Sequence, residues 1–425
     1  MGVESGGECA ASVHDVWHPK SAVGETMQPV KAKDRREAAT ADEIRHMIEL
    51  CRAGRLFEVQ EWIAAGKPVN LPSRLAKRSN IRSPLETAIE FGFHSLVLVL
   101  LRGGATGSNG DLHGPLSLTL HMRRPDLMKL LVEHGLDPTS IDMSEVFDTW
   151  DPELMEYFID RGADVETDNP LAYALCSRIQ IALRVLKRYR ERFPSFQEQA
   201  NIALRHHCIE GNEKWIALML WAGADPYATG VSRYNEEPDA RGGGISALEL
   251  AALYGHFEIF NSKKVKLDAK HPVMQDVAKW ACNSKGIELL KRLLDRGLVI
   301  NDREGGGSST IQHVLRHLDW GIWRRDSFFE SNGHDSQESR DRMQALRLLV
   351  ERGGRWVPED KRELNTVRKG LLKLKAEYTA ELVLIMTRHR ACEKKSLEEL
   401  LRTSTMKTHI ERYQTRITKL LAAWT

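Results

Sequence analysis

Seven apolar, helix-like segments of this chain end in a glycine set in nearly the same local frame, and that recurrence constrains the fold more than any other feature. The endings are Ala65-Gly66, Gly103-Gly104-Ala105, His134-Gly135, Arg161-Gly162-Ala163, Ala222-Gly223-Ala224, Arg296-Gly297 and Arg352-Gly353. A backbone without a Cβ enters the left-handed region that closes a helix at its C-terminus, so each glycine reads as a helix stop. Twelve residues before the seven glycines stand Gly54, Gly92, Arg123, Trp150, Gly211, Lys285 and Asp341, at the place where a tight helix-to-helix turn falls. Between the two marks lie apolar runs such as Leu96, Val97, Val99, Leu100 and Leu101. Helix, glycine stop and short polar loop in regular alternation is the mark of a solenoid of helix pairs, each stable only because its neighbours cover its apolar face.

The spacing is uneven. Successive terminal glycines lie 38, 31 and 27 residues apart from Gly66 to Gly162, then 61, 74 and 56 apart, which leaves room for one degenerate unit or a large insertion in each later gap. The first of these gaps holds a unit around Leu171, Ala172, Ala174 and Leu175, continued by Ile181, Leu183, Val185 and Leu186. The second holds a unit opening at Ser246, whose second helix is expected to end near Lys266-Leu267-Asp268 without a glycine. The third starts at Thr310 and carries a polar insertion, Asp326 to Asp341, before its second helix. A glycine-free pair over Val367 to Leu374 and Ala380 to Met386 brings the total to about ten units over residues 42–391.

Ser246-Ala247-Leu248-Glu249-Leu250-Ala251-Ala252 followed by Gly255-His256, together with Ser83-Pro84-Leu85-Glu86-Thr87-Ala88 and Gly114-Pro115-Leu116, resembles the ankyrin repeat. The resemblance implies an all-α, ankyrin-repeat solenoid with a helical C-terminal extension. The family's histidine position is filled by Glu86 and Glu249. The capping hydrogen bonds of a consensus repeat are therefore expected to be weaker or replaced.

The chain carries 61 Lys plus Arg against 59 Asp plus Glu, a formal charge of +2 that makes no global case for nucleic-acid binding. No stretch has the length and apolarity of a membrane span, and the first thirty residues lack the apolar core of a signal peptide. Cys9, Cys51, Cys176, Cys208, Cys282 and Cys392 stand singly, as suits buried thiols in a reducing, intracellular and most simply cytoplasmic setting. Residues 1–41 are too polar and aperiodic to offset the entropy of ordering them and read as disordered. Residues 392–425 are read as a basic amphipathic helical cap or docking segment of one or two helices, because Leu397, Leu400, Leu401, Met406, Ile410 and Ile417 recur at three- and four-residue steps. From Lys361 onward fifteen Lys plus Arg face seven Glu, a local balance of +8.

Sequence motifs for metal, nucleotide or nucleophile chemistry are missing, so no catalytic residue, cofactor or metal is expected and the chain reads as a non-enzyme. His206-His207-Cys208 is the densest candidate, on a first helix placed at Ile202 to Cys208. Adjacent helical residues point in different directions, so these three need partners from elsewhere to converge on a metal. The runs Gly242 to Gly244 and Gly305 to Gly307 lack the Lys and hydroxyl pair of a phosphate cradle.

Binding is instead expected on insertions and first helices. The loop from Asp225 to Arg241 projects toward the concave surface and offers Tyr227, Arg233 and Tyr234 as anchors, aromatic and arginine side chains being strong contributors at interfaces. Trp320, Trp323, Arg324, Arg325 and Phe328 form a second aromatic and basic cluster, which either packs down as a local core or makes contact. The ankyrin resemblance implies a protein-binding scaffold or adaptor, with no small-molecule substrate and no membrane insertion. Two other readings stay open: a nucleic-acid-associated subunit that uses the basic C-terminal helices, and an enzyme of unfamiliar type with a site on the concave face.

Overall fold

The computed structural model describes residues 37–72, 82–106, 114–236, 244–283, 285–301, 309–316, 318 and 337–424. They divide between two compact units, Met1–Asp137 and Pro138–Thr425. Both are stacks of helix pairs.

Among its described residues the first unit holds three pairs: α1 (Ala41–Arg52) with α2 (Leu56–Ala64), α3 (Pro84–Glu90) with α4 (His94–Arg102), and α5 (Pro115–His121) with α6 (Pro125–Glu133). First helices pack on first helices, α1 on α3 and α3 on α5, while second helices pack on second helices, α2 on α4 and α4 on α6. The seam between the layers is fully buried at Ile44, Met47, Leu85, Ile89, Val97, Leu100, Leu127 and Leu131. Helix α3 shows how its sequence starts it. Pro84 sits in the first turn, where a missing N–H costs nothing. Ser83 Oγ accepts from Glu86 N at 3.1 Å, and Glu86 Oε2 accepts from Ser83 N at 2.8 Å. Glu86, in the family's histidine position, thus completes a reciprocal cap. The consensus bond is replaced here, not merely weakened.

Among its described residues the second unit holds seven pairs: α7 (Met143–Asp148) and α8 (Pro152–Asp160); α9 (Pro170–Cys176) and α10 (Ala182–Tyr189); α11 (Ser195–Glu210) and α12 (Glu213–Ala222); α13 (Ala247–Leu253) and a 3-10 turn (Phe257–Asn261); α14 (Val273–Trp280) and α15 (Ile287–Asp295); α16 (Thr310–Arg316) and α17 (Gln337–Glu351); α18 (Lys361–Lys373) and α19 (Ala376–Arg388). Three short helices follow, α20 (Lys394–Leu401), α21 (Ser404–His409) and α22 (Gln414–Ala422). Their apolar positions Leu397, Leu400, Met406, Ile410 and Ile417 are buried, and Arg368 of α18 donates to Leu400 O and Glu399 O at 3.0 and 2.7 Å. The extension holds three helices instead of one or two: Thr403 starts the second, its hydroxyl accepting from Met406 N, and the third begins at Gln414 after a 3-10 turn over Glu411–Tyr413.

All seven terminal glycines adopt φ between 74° and 92°. Of the marks twelve residues earlier, Gly54, Gly92 and Gly211 are left-handed as well, and Arg123 (φ 52°) and Trp150 (φ 59°) adopt the same conformation despite their side chains. Asp341 instead lies inside α17.

Two expectations need correction. The Ser246 unit has no second helix reaching Asp268; a 3-10 turn ends at Asn261, because Tyr227 Oη donates to Lys266 O and accepts from Asp268 N, taking backbone groups a helix would have paired internally. The first helix expected at Ile202 to Cys208 begins at Ser195, and its added turns bury Phe196 and Gln199.

Glu363 of α18 is buried, yet its carboxylate accepts from Glu359 N (2.8 Å), Trp356 Nε1 (3.0 Å), Gln312 Nε2 (2.9 Å) and Arg316 Nη2 (3.2 Å). Burial works to raise its pKa, but these bonds together hold it below the ordinary 4.5. A depressed carboxylate contributes stability above its unfolded pKa and loses it as pH falls through the folded value. Denaturant midpoints should therefore drop as pH is lowered below about 4.5, and Glu363→Gln should flatten that acid limb. No helix among the described residues is long and apolar enough to cross a membrane.

Candidate binding site

Counting from the left-handed residues aligns the repeats of the second unit. Five positions before Arg178 (φ 65°) and Gly211 (φ 69°) stand Tyr173 of α9 and His206 of α11, which occupy the same place on neighbouring first helices. Tyr173 Oη donates to the Asp148 carboxylate at 2.8 Å. Its ring meets that of Tyr234 edge-on, with centroids 5.2 Å apart.

Tyr234 belongs to the loop that follows α12, whose described residues 225–236 are held against the repeats. Arg205, fully buried in α11, reaches into it. Its Nε donates to Val231 O at 2.6 Å, its Nη1 to Ala228 O at 3.0 Å, and its Nη2 pairs with Glu198 Oε1. Gly230 is what permits this approach, since a Cβ there would stand 2.6 Å from Arg205 Nη2. Strands β1 (Thr229–Gly230) and β2 (Ile245–Ser246) pair antiparallel beside it. Asn169 Nδ2 donates to Tyr234 O at 3.1 Å, and the Tyr227 ring lies 4.4 Å from that of His271. Tyr227 is therefore spent on holding the loop, Tyr234 is half-buried against Tyr173, and Arg233 is exposed. Trp320, Trp323, Arg324, Arg325 and Phe328 lie outside the described residues.

At the end of α11 the chain gathers a compact cluster. His206 Nε2 lies 3.5 Å from Glu210 Oε1, His207 Nδ1 lies 3.5 Å from Glu210 Oε2, and Arg178 Nη2 donates to Oε2 at 3.0 Å. Burial pushes the pKa of both imidazoles below 6.5. Burial also works to raise the Glu210 carboxyl, and the Arg178 bond with the charges around it leads to a net lowering. The side chains of His206 and Glu210 remain 30% and 34% exposed, so the cluster opens to solvent. Glu210, and not Cys208, completes the cluster with the two histidines. The signal for it was present in the sequence, because residues four apart share a helix face.

Gln199 is a further residue that the sequence did not single out. Asn169 at the head of α9 has φ 52° and makes no side-chain cap. Fully buried Gln199, from the next first helix, supplies the missing acceptor: its Oε1 takes Leu171 N at 2.9 Å and Ala172 N at 3.1 Å, and its Nε2 donates to Val165 O at 2.8 Å.

No family model matches the chain, and no curated protein matches it either. Among solved structures it is similar to the ankyrin repeat domain of Bcl-3, a member of the IkappaB protein family, at 15% identity and a TM-score of 0.28, with 62% of this chain and 91% of that one covered.

Proposed function

We propose that this chain, a stack of divergent ankyrin-type repeats, is a non-enzymatic scaffold that binds a protein partner through the face made by α9, α11 and the loop 225–236. The observation that supports this most is the fixed placement of that loop. Arg205, Asn169 and Tyr227 hold it by at least one hydrogen bond each, so a partner meets a surface whose ordering cost has already been met. Tyr173, Tyr234, Arg178 and Arg233 then present the aromatic and guanidinium groups that contribute most at protein interfaces.

The test uses the tagged full chain to capture partners from cell extract, with nuclease treatment and high salt in parallel. Tyr173→Ala combined with Tyr234→Ala should reduce recovery of a nuclease-resistant protein at least tenfold, as expected for two aromatic anchors. Truncation before Lys394 should leave that recovery intact. Recovery only with nucleic acid, lost on truncation or at high salt, would overturn the reading and move binding to the basic helices α20 to α22.

A further inference from the structure

We infer that His206, His207 and Glu210 form a binding site for a divalent transition metal of the zinc class. Three features of the geometry lead there. The ligand atoms of the three side chains all lie within 4.8 Å of one another. Adjacent histidines on a helix diverge at the Cβ, but His206 turns its far nitrogen, Nε2, toward the carboxylate and His207 its near one, Nδ1, so both reach the same Glu210. Each nitrogen stands 3.5 Å from a different carboxylate oxygen. Ligands held at roughly 2.0–2.1 Å around a tetrahedral zinc are about 3.3 Å apart, so each nitrogen already stands near that distance from a carboxylate oxygen, and separations within the group of up to 4.8 Å contract when an ion is bound.

The second feature is an orphaned atom. His207 Nε2 is 3.1 Å from Leu175 O, and a carbonyl only accepts, so the proton of the neutral ring sits on Nε2. That leaves Nδ1 as a bare lone pair in a side chain with no exposed surface, without a hydrogen-bond partner and turned toward a carboxylate oxygen. Two lone pairs facing each other are repulsive. A cation between them removes the conflict.

The third feature is the support behind the ligands. The Nε2–H bond to a backbone carbonyl fixes the His207 tautomer, the Trp215 ring stacks on His207 at 5.3 Å and 28°, and Arg178 holds Glu210 through Oε2 while Oε1 faces His206. Outer contacts of this kind orient metal ligands and hold them ready. Two imidazoles and one carboxylate suit zinc, cobalt or nickel and disfavour magnesium or calcium. Three protein ligands also leave a fourth position, open to water or to a side chain of a bound partner.

The experiment is a titration of the EDTA-treated full chain with Zn²⁺, followed by calorimetry, with Mg²⁺ as control and Co²⁺ as a spectroscopic probe. The expected result is Zn²⁺ uptake and an intense visible Co²⁺ band of tetrahedral type, with no response to Mg²⁺. His206→Ala and Glu210→Gln, both at partly exposed side chains, should each weaken Zn²⁺ binding at least tenfold and abolish the band while leaving the metal-free thermal melt close to that of the parent. Absence of the Co²⁺ band from the parent chain overturns the proposal whatever the variants do. Equal Zn²⁺ uptake by parent and variants overturns it too, because the metal would then sit on other histidines.

Discussion

Arg205→Ala should lower the unfolding free energy of the second unit by about 3–5 kcal/mol, measured by chemical denaturation. Most of that loss does not come from the ion pair, since Glu198 is half exposed and water screens it. It comes from the void left by the fully buried arginine stem, and from Val231 O and Ala228 O, which lose their donors at half-buried positions at about 1 kcal/mol each. Arg205→Met fills the space without restoring the donors and should recover only the packing share. Glu198→Gln should change stability by less than about 1 kcal/mol. Amides of residues 228–236 should exchange faster in both Arg205 variants, and partner recovery should fall with them. A loss below about 1 kcal/mol in Arg205→Ala would show that the loop is held by something else.

The next largest effect is expected at Gln199. Gln199→Ala strips Leu171 N and Ala172 N of their acceptor and Val165 O of its donor, and should cost about 3 kcal/mol. Gln199→Glu keeps the acceptors and loses the donor, so an intermediate value is expected. Hydrogen exchange at Leu171 and Ala172 reports the cap directly: those amides should lose protection in Gln199→Ala while Glu86 N and Ser83 N, capped within their own repeat, do not. Unchanged protection would mean that water substitutes for the side chain.

The seven helix stops were legible because a glycine at a helix end acts locally: its φ depends on a missing Cβ and on little beyond the preceding turn. The buried positions of α4, α9 and α10 were legible for a similar reason, as their apolar residues recur at the helical period. Gln199 and Arg205 were not. Each is a polar residue in the middle of a helix, where sequence patterning assigns solvent, and each acquires its role from a partner 23 to 34 residues away. The Ser246 unit misled for the converse reason. Phe257, Ile259 and Phe260 look like the start of an amphipathic helix, and only the arrival of Tyr227 from residues upstream claims the backbone at Lys266 and Asp268. His206 and Glu210 were half legible: the i, i+4 spacing was in plain view, but the choice of ring nitrogen that lets adjacent histidines converge depends on side-chain rotamers.

Since helix α9 takes its cap from Gln199, a side chain 28 residues downstream of Leu171, the order of synthesis matters. The His256 ring, 3.1 Å from Ile209 O, likewise contacts an earlier repeat from a later one. Translation delivers the helix first and its acceptor afterwards, so a nascent chain halted between Cys176 and Gln199 carries α9 with its leading amides unanswered. Such a chain has α9 in sequence but not in secure structure, and chaperone binding or proteolysis of ribosome-stalled fragments should fall off once α11 has emerged, not when α9 itself is complete.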